Sequence, residues 1–162
     1  MIDATSAASC DSAVCTWVNA GRAKRQVTRP AFTHVHPALA HEAALVASII
    51  HSLGLAVDAM LRKHGKAILE RQFLQQRLAN ISMDVYLSVA VLSRTTWEIE
   101  RAGSVEAAAA ELDCARVFIP AAMRRARRHL RALRVNQDRR MKAIAERALE
   151  SGELAPETPT DR

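Results

Sequence analysis

Breakers of regular structure are scarce in this sequence: five glycines and five prolines among 162 residues, several of them near the ends. An all-β chain needs frequent turn residues, so that class is excluded and long helices are favoured. Aromatic residues make up only 4%, and the apolar mass is mainly Ala, Leu, Val and Ile. Cysteine is limited to Cys10, Cys15 and Cys114. An odd count of three gives no disulfide framework and points to a reducing compartment. The apolar run at 85–92 is interrupted by Ser88 and is far too short to cross a membrane, and no other run is expected to do so. Asp3 and Asp11 make the first residues a poor signal or transit segment. A cytoplasmic protein, in contact with a membrane at most peripherally, is the expectation.

What is present fits one domain with ragged ends. Hydrophobic residues are 49% of the chain, the formal charge is +6 and the pI is about 9.9. Residues 1–35 read as a flexible basic arm, with a short helix at 13–23 as an option and a cationic run from Arg22 to Arg29. Pro37 suits the first turn of a helix. Beyond it Leu39, Val46, Ile50, Leu53, Val57 and Met60 recur at helical spacing, which predicts a helix to about His64. A second helix is expected over 66–102, its inward face holding Ile68, Phe73 or Leu74, Leu78, Ile81, Val85, Val89 and Leu92. Gly103 supplies a stop and Ser104 a cap. A third helix over 105–134 would bury Leu112, Phe118, Met123, Leu130 and Leu133, with Pro120 kinking or splitting it. A fourth would start at Asn136, carry Met141, Ile144, Ala148 and Leu149, and end at Gly152. The simplest assembly is an all-α, antiparallel bundle of about four helices over 36–152, followed by a disordered tail at 153–162.

Candidate chemistry is sparse. His34, His36 and His41 are too few for a structural zinc site, and Cys10 and Cys15 do not complete one. Cys114 and His129 are fifteen positions apart and do not form a nucleophile–base pair. There is no phosphate-cradling glycine loop and no dinucleotide fingerprint. No catalytic, cofactor-binding or metal residue is therefore expected. Glu70, Asp84, Glu98 and Glu100 read as ion-pair partners, Glu98 with Arg94 or Arg101, and Asp84 as a capped or paired aspartate among apolar neighbours. The densest charge is a basic surface at Arg124, Arg125, Arg127, Arg128 and Arg131. Such arginines suit phosphates of nucleic acid or lipid headgroups. Without aromatics or helix-turn-helix spacing, nucleic acid is the poorer partner.

One stretch carries a family resemblance. His36-Pro37-Ala38-Leu39 opens it. Lys63-His64-Gly65-Lys66, Gln72-Phe73-Leu74, Gln76-Arg77-Leu78-Ala79, Tyr86 and Val91-Leu92-Ser93-Arg94 continue it. This pattern resembles the C-terminal helical domain that follows the catalytic domain in very-long-chain acyl-CoA dehydrogenases. The resemblance weakens from Gly103 onward, and Ile119-Pro120 and the Arg-rich stretch depart from the pattern. The resemblance implies a non-catalytic interaction or oligomerisation module, or a detached part of an enzyme that oxidises acyl-CoA thioesters with FAD. The flavin and the catalytic glutamate would belong to the catalytic body. That body, or a second copy, is the implied partner, with peripheral membrane contact beside it. Gln72, Gln76, Arg77, Tyr86, Ser93 and Arg94 are the implied interaction residues. An independent basic adaptor for nucleic acid or anionic membrane is the alternative.

Overall fold

The computed structural model describes residues 27–152. The expected tail at 153–162, the helix at 13–23, Cys10 and Cys15, and most of the basic arm lie outside the described residues.

Among the described residues four α-helices follow one another: α1 (Ala40–His64), α2 (Gln72–Ala102), α3 (Ala109–Ala132) and α4 (Asp138–Ser151). A 3-10 turn, Pro37–Leu39, leads into α1, and a second one, Gly65–Glu70, joins α1 to α2. The all-α class and the four helices match the expectation. Each boundary has a local cause. His36 Nδ1 accepts from the Ala38 N–H and opens the first turn. Gly65 takes a positive φ of 52°, which only glycine adopts without strain, and α1 stops there. The second helix therefore begins at Gln72 and not at Lys66. Gln75 Nε2 donates to the carbonyls of Ile68 and Leu69 and so closes the end of the second 3-10 turn. Gly103, at φ 77°, donates its N–H to the Ile99 carbonyl in a left-handed C-cap. Ser104 Oγ accepts from Ala107 N–H, but it caps a turn; α3 proper starts only at Ala109. Asn136 serves two ends at once, Nδ2 donating to Ala132 O and Oδ1 accepting from Asp138 N–H.

The core lies among α1, α2 and α3. Fully buried side chains include Leu39, Val46 and Ile49 from the start of the bundle, Ile81 and Leu92 from α2, and Ile119 and Met123 from α3. α2 and α3 run antiparallel: Asp84 on α2 meets Arg125 on α3, and Arg77, two turns earlier, meets Asp138 just past the end of α3. Between them lie small residues. Ser88, Ala115, Ala122 and Ala126 are all fully buried. They allow the two backbones to come close, as interior packing demands few voids. Ser88 Oγ satisfies itself by donating to Asp84 O, 2.7 Å away.

Three expectations change. Of Phe73 and Leu74, it is Leu74 that is buried, while Phe73 is 41% exposed. Pro120 does not split the third helix, which continues from Ala109 to Ala132 with Pro120 inside it. The third correction concerns α1. Within Pro37–Glu70 there is an 18-residue stretch of mean hydropathy 1.8, long and apolar enough to cross a membrane by length and composition alone. The stretch lies well before 85–92: between Glu42 and Asp58 no Asp, Glu, Lys or Arg occurs. α1 contributes Val46, Ala47, Ile49 and Met60 to the core, but only 17% of the apolar stretch is buried within the bundle.

α4 differs from the rest. None of its residues is buried, and Met141, Ile144 and Leu149 are 52%, 58% and 74% exposed. Its firmest link to the bundle is a bidentate pair in which both Arg77 terminal nitrogens donate to the Asp138 carboxylate at 2.6 Å. That hydrogen-bonded guanidinium, aided by its charge and opposed by burial, holds the Asp138 carboxyl below its ordinary range. A depressed carboxyl stabilises the fold fully above its unfolded-chain pKa of about 4 and progressively less as pH falls through the folded value. Acid should therefore loosen α4, and mild base should not. Asp138→Asn is expected to speed amide exchange across α4 by about fivefold, the equivalent of about 1 kcal/mol, with exchange in the middle of α2 unchanged. Equal exchange in variant and parent would show that α4 is held by something else.

Candidate interaction surface

The outward face of α2 carries the chain's most distinctive surface. Its buried face runs through Ile81, Ser88, Leu92 and Ile99. At 3.6 residues per turn, the opposite face runs through Gln72, Gln76, Ala79, Met83, Tyr86, Ala90, Ser93, Trp97 and Glu100, and every one of these is exposed. The spacing alternates strictly between four and three, which is the repeat of a helix seam that receives another helix. Tyr86 is 73% exposed, Met83 56%, Trp97 51% and the flanking Leu87 47%. An apolar stripe of this length on a folded chain marks a contact surface.

One end of the stripe is electrostatically fixed. Glu98 is only 5% exposed, yet it receives Arg94 and, at 2.8–2.9 Å, Arg101. The Arg101 hydrogen bond, together with the Arg101 and Arg94 charges, holds its carboxyl below the ordinary range in spite of burial. Both guanidiniums are thereby placed near the Trp97 ring, 5.0 and 5.3 Å from its centroid, within cation–π range. Beside Ser93 and Trp97, residues 31–35 form the far wall of a groove that also includes Val89, Leu92, Thr96 and Glu100. The wall is pinned by the His36 N–H, which donates to Thr96 Oγ1, and by Arg29, which donates to Ala44 O.

The implied interaction residues divide on this surface. Gln72, Gln76, Tyr86 and Ser93 share the outward seam, with Arg94 on its edge. Arg77 does not; it faces Asp138. Interhelical bonds from Gln72 or Gln76, and a back-bond from Ser93, are not among the side-chain hydrogen bonds of the described residues. Gln75, Ser82 and Ser88 make the corresponding bonds. The arginine cluster divides too. Arg124, Arg127, Arg128 and Arg131 are exposed along one face of α3. Arg125 turns inward, donating from Nε and a terminal nitrogen to Asp84 Oδ1 at 3.2 and 2.7 Å. The aspartate is thus paired, and Arg125, its side chain still 42% exposed, is engaged by it. Cys114 is exposed and lies about 22 Å along α3 from His129.

No group of three or more metal-ligating side chains occurs among the described residues. A flavin dinucleotide needs a run of backbone donors for its pyrophosphate and a slot for its ring. The groove beside Trp97 is open and edged by side-chain hydroxyls and a carboxylate, so it does not fit that group.

Comparison with known proteins agrees with this architecture. The sequence matches the family described as ACAD9/ACADV, C-terminal domain, over residues 37–154. The match continues past Gly103, where the resemblance read from the sequence weakens, and covers all but the first residue of the bundle expected over 36–152. The chain is similar to the mitochondrial very long-chain specific acyl-CoA dehydrogenase of Rattus norvegicus, 32% identical over 130 residues, covering 77% of this chain and 20% of the relative. With the enzyme of the same name from Homo sapiens it is 42% identical over 62 residues, 38% of this chain and 10% of the relative. The chain thus spans at most about a fifth of the length of these relatives. Nothing in these matches supports an independent basic adaptor. With four helices in place and the family match running from Pro37 to beyond α4, this chain belongs to the ACAD9/ACADV C-terminal domain family.

Proposed function

We propose that the chain is a non-catalytic helical domain of an FAD-dependent very-long-chain acyl-CoA dehydrogenase, docking on the catalytic body through the outward seam of α2. The observation that carries this reading is the position of the resemblance residues. Gln72, Gln76, Tyr86 and Ser93 are not needed for internal packing, yet they stand in one exposed row. A large apolar ring with a polar tip, such as Tyr86, suits the centre of an interface. The exposed arginines of α3 form a basic rim that orients the encounter. FAD and the acyl-CoA thioester belong to the body, and this chain contributes shape and contact area. The relatives are mitochondrial enzymes by name. For this chain a location on the reducing side of a membrane, in peripheral contact with it, is part of the same proposal.

The test is a gentle purification of the tagged chain from its native host, with the visible spectrum of the eluate recorded. A stoichiometric flavin spectrum is expected, and Tyr86→Glu should remove it while leaving helix content unchanged. A colourless chain that elutes alone would overturn the reading. So would a flavoprotein still held at full stoichiometry by the Tyr86→Glu variant, because docking would then not use the seam.

A further inference from the structure

The α2 seam is also complementary to itself. We propose that it pairs with the α2 seam of a second copy, antiparallel about a two-fold axis level with Ser88, to give a reversible homodimer when no catalytic body is bound. This inference rests on reading the seam as an interface, but not on the identity of the body.

The register follows from side-chain size. In an antiparallel seam, layers form between the alternate positions of the two helices. With the axis level with Ser88, Met83 meets Ser93 of the second copy, Tyr86 meets Ala90, and Trp97 meets Ala79. Every large side chain thus faces a small one, and each layer occurs twice. Large against small is how facing helices interdigitate without voids. The outer layer sets the Glu100 carboxylate against the Gln76 amide, which can donate to it. Glu100 is the only charged residue of the seam, so no layer opposes like charges. Arg94, at the edge, lies level with Ser82 of the second copy and away from the other Arg94. The pairing is isologous, as a two-fold dimer requires.

Area sets the strength. From Gln76 to Glu100 the seam is about 36 Å long and, at a helix's width, about 10 Å across. The two copies together cover on the order of 700–800 Å² of flat contact, and somewhat more as accessible surface, which is the scale of weak and reversible association. Such a dimer would cover Tyr86 and Trp97 in the free chain and give way to a larger interface.

The full chain alone, purified away from any flavoprotein, decides the matter by sedimentation equilibrium and by directed disulfide formation. Cys10, Cys15 and Cys114 are first replaced by serine. A chain with Met83→Cys and another with Ser93→Cys should then form a mixed disulfide faster than either forms one with itself. Ala90→Arg, on the exposed face, should keep the helix content and raise the dimer dissociation constant at least about tenfold, a loss of about 1.4 kcal/mol. A chain that stays monomeric up to its solubility limit would overturn the proposal. So would self-linking that outpaces mixed linking, which would mean a parallel pair or another register. Neither result touches the flavin test above, which depends on the body and not on a second copy.

Discussion

Leu92→Ala should lower the unfolding free energy by about 2–5 kcal/mol, the range for truncating a buried leucine. Leu92 is 1% exposed and projects from the middle of α2 into the three-helix core, where Ile81 and Ile99 flank it on the same face. Its loss removes the transfer free energy of the deleted carbons and leaves a hole that the surrounding helices close only in part. Urea titration at neutral pH, with the slope of the transition checked for constancy, measures the change. Tyr86→Ala, about a third of a turn around the same helix and 73% exposed, serves as the matched control. It should change stability by no more than about 0.5 kcal/mol in the monomer. A larger loss at Tyr86 than at Leu92 would mean that the inward and outward faces of α2 have been reversed.

Pro120→Ala should act in the opposite direction and stabilise the chain by about 1–3 kcal/mol. Proline in a helix interior costs about 3 kcal/mol relative to alanine, because it lacks an N–H and its ring presses on the preceding turn. Here α3 passes through Pro120 without ending, so the Arg116 carbonyl has no backbone donor four residues on. Alanine restores that donor. Two smaller effects reduce the gain: the ring of Pro120 is half-buried, and proline restricts the unfolded chain by up to about 1 kcal/mol. A rise in the thermal midpoint and the urea midpoint together is the expected reading. A loss of stability would show that the bend imposed by Pro120 is needed for Ile119 and Met123 to reach the core.

The helices were legible in the sequence because Gly65, Gly103 and Gly152 punctuate it and the apolar residues recur with helical period. The buried faces were legible only where large side chains formed them. Reading Leu, Ile, Val and Met located Val46, Ile81, Leu92 and Met123, but passed over Ala115, Ala122 and Ala126, which are fully buried. Alanine is common on every face of a helix, so its composition does not say which way it points. Close approach to α2 decides that, and a single sequence does not display the partner helix. Ser88 was missed for a related reason: a short hydroxyl that bonds within its own helix can be buried without a distant partner, whereas Thr96 is buried where it accepts from the distant His36 N–H. The exposed seam was half visible. The resemblance singles out Gln72, Gln76, Tyr86 and Ser93 but not Met83, Ala90 or Trp97, and only the burial pattern shows that all of them face away from the core. The inward turn of Arg125 left no sequence signal beyond Asp84 among apolar neighbours.

The uncharged stretch of α1 has a consequence for the order of events during synthesis. α1 emerges from the ribosome well before α3, whose Ile119, Ala122 and Met123 complete the core that α1 enters. About seventy residues separate the end of one helix from the end of the other. At about 5–20 residues per second, the apolar side of α1 waits roughly 3–14 s for its cover. During that interval it is a ligand for chaperones, for insertion machinery and for other nascent chains, and the yield of folded protein depends on how quickly α2 and α3 arrive to claim it.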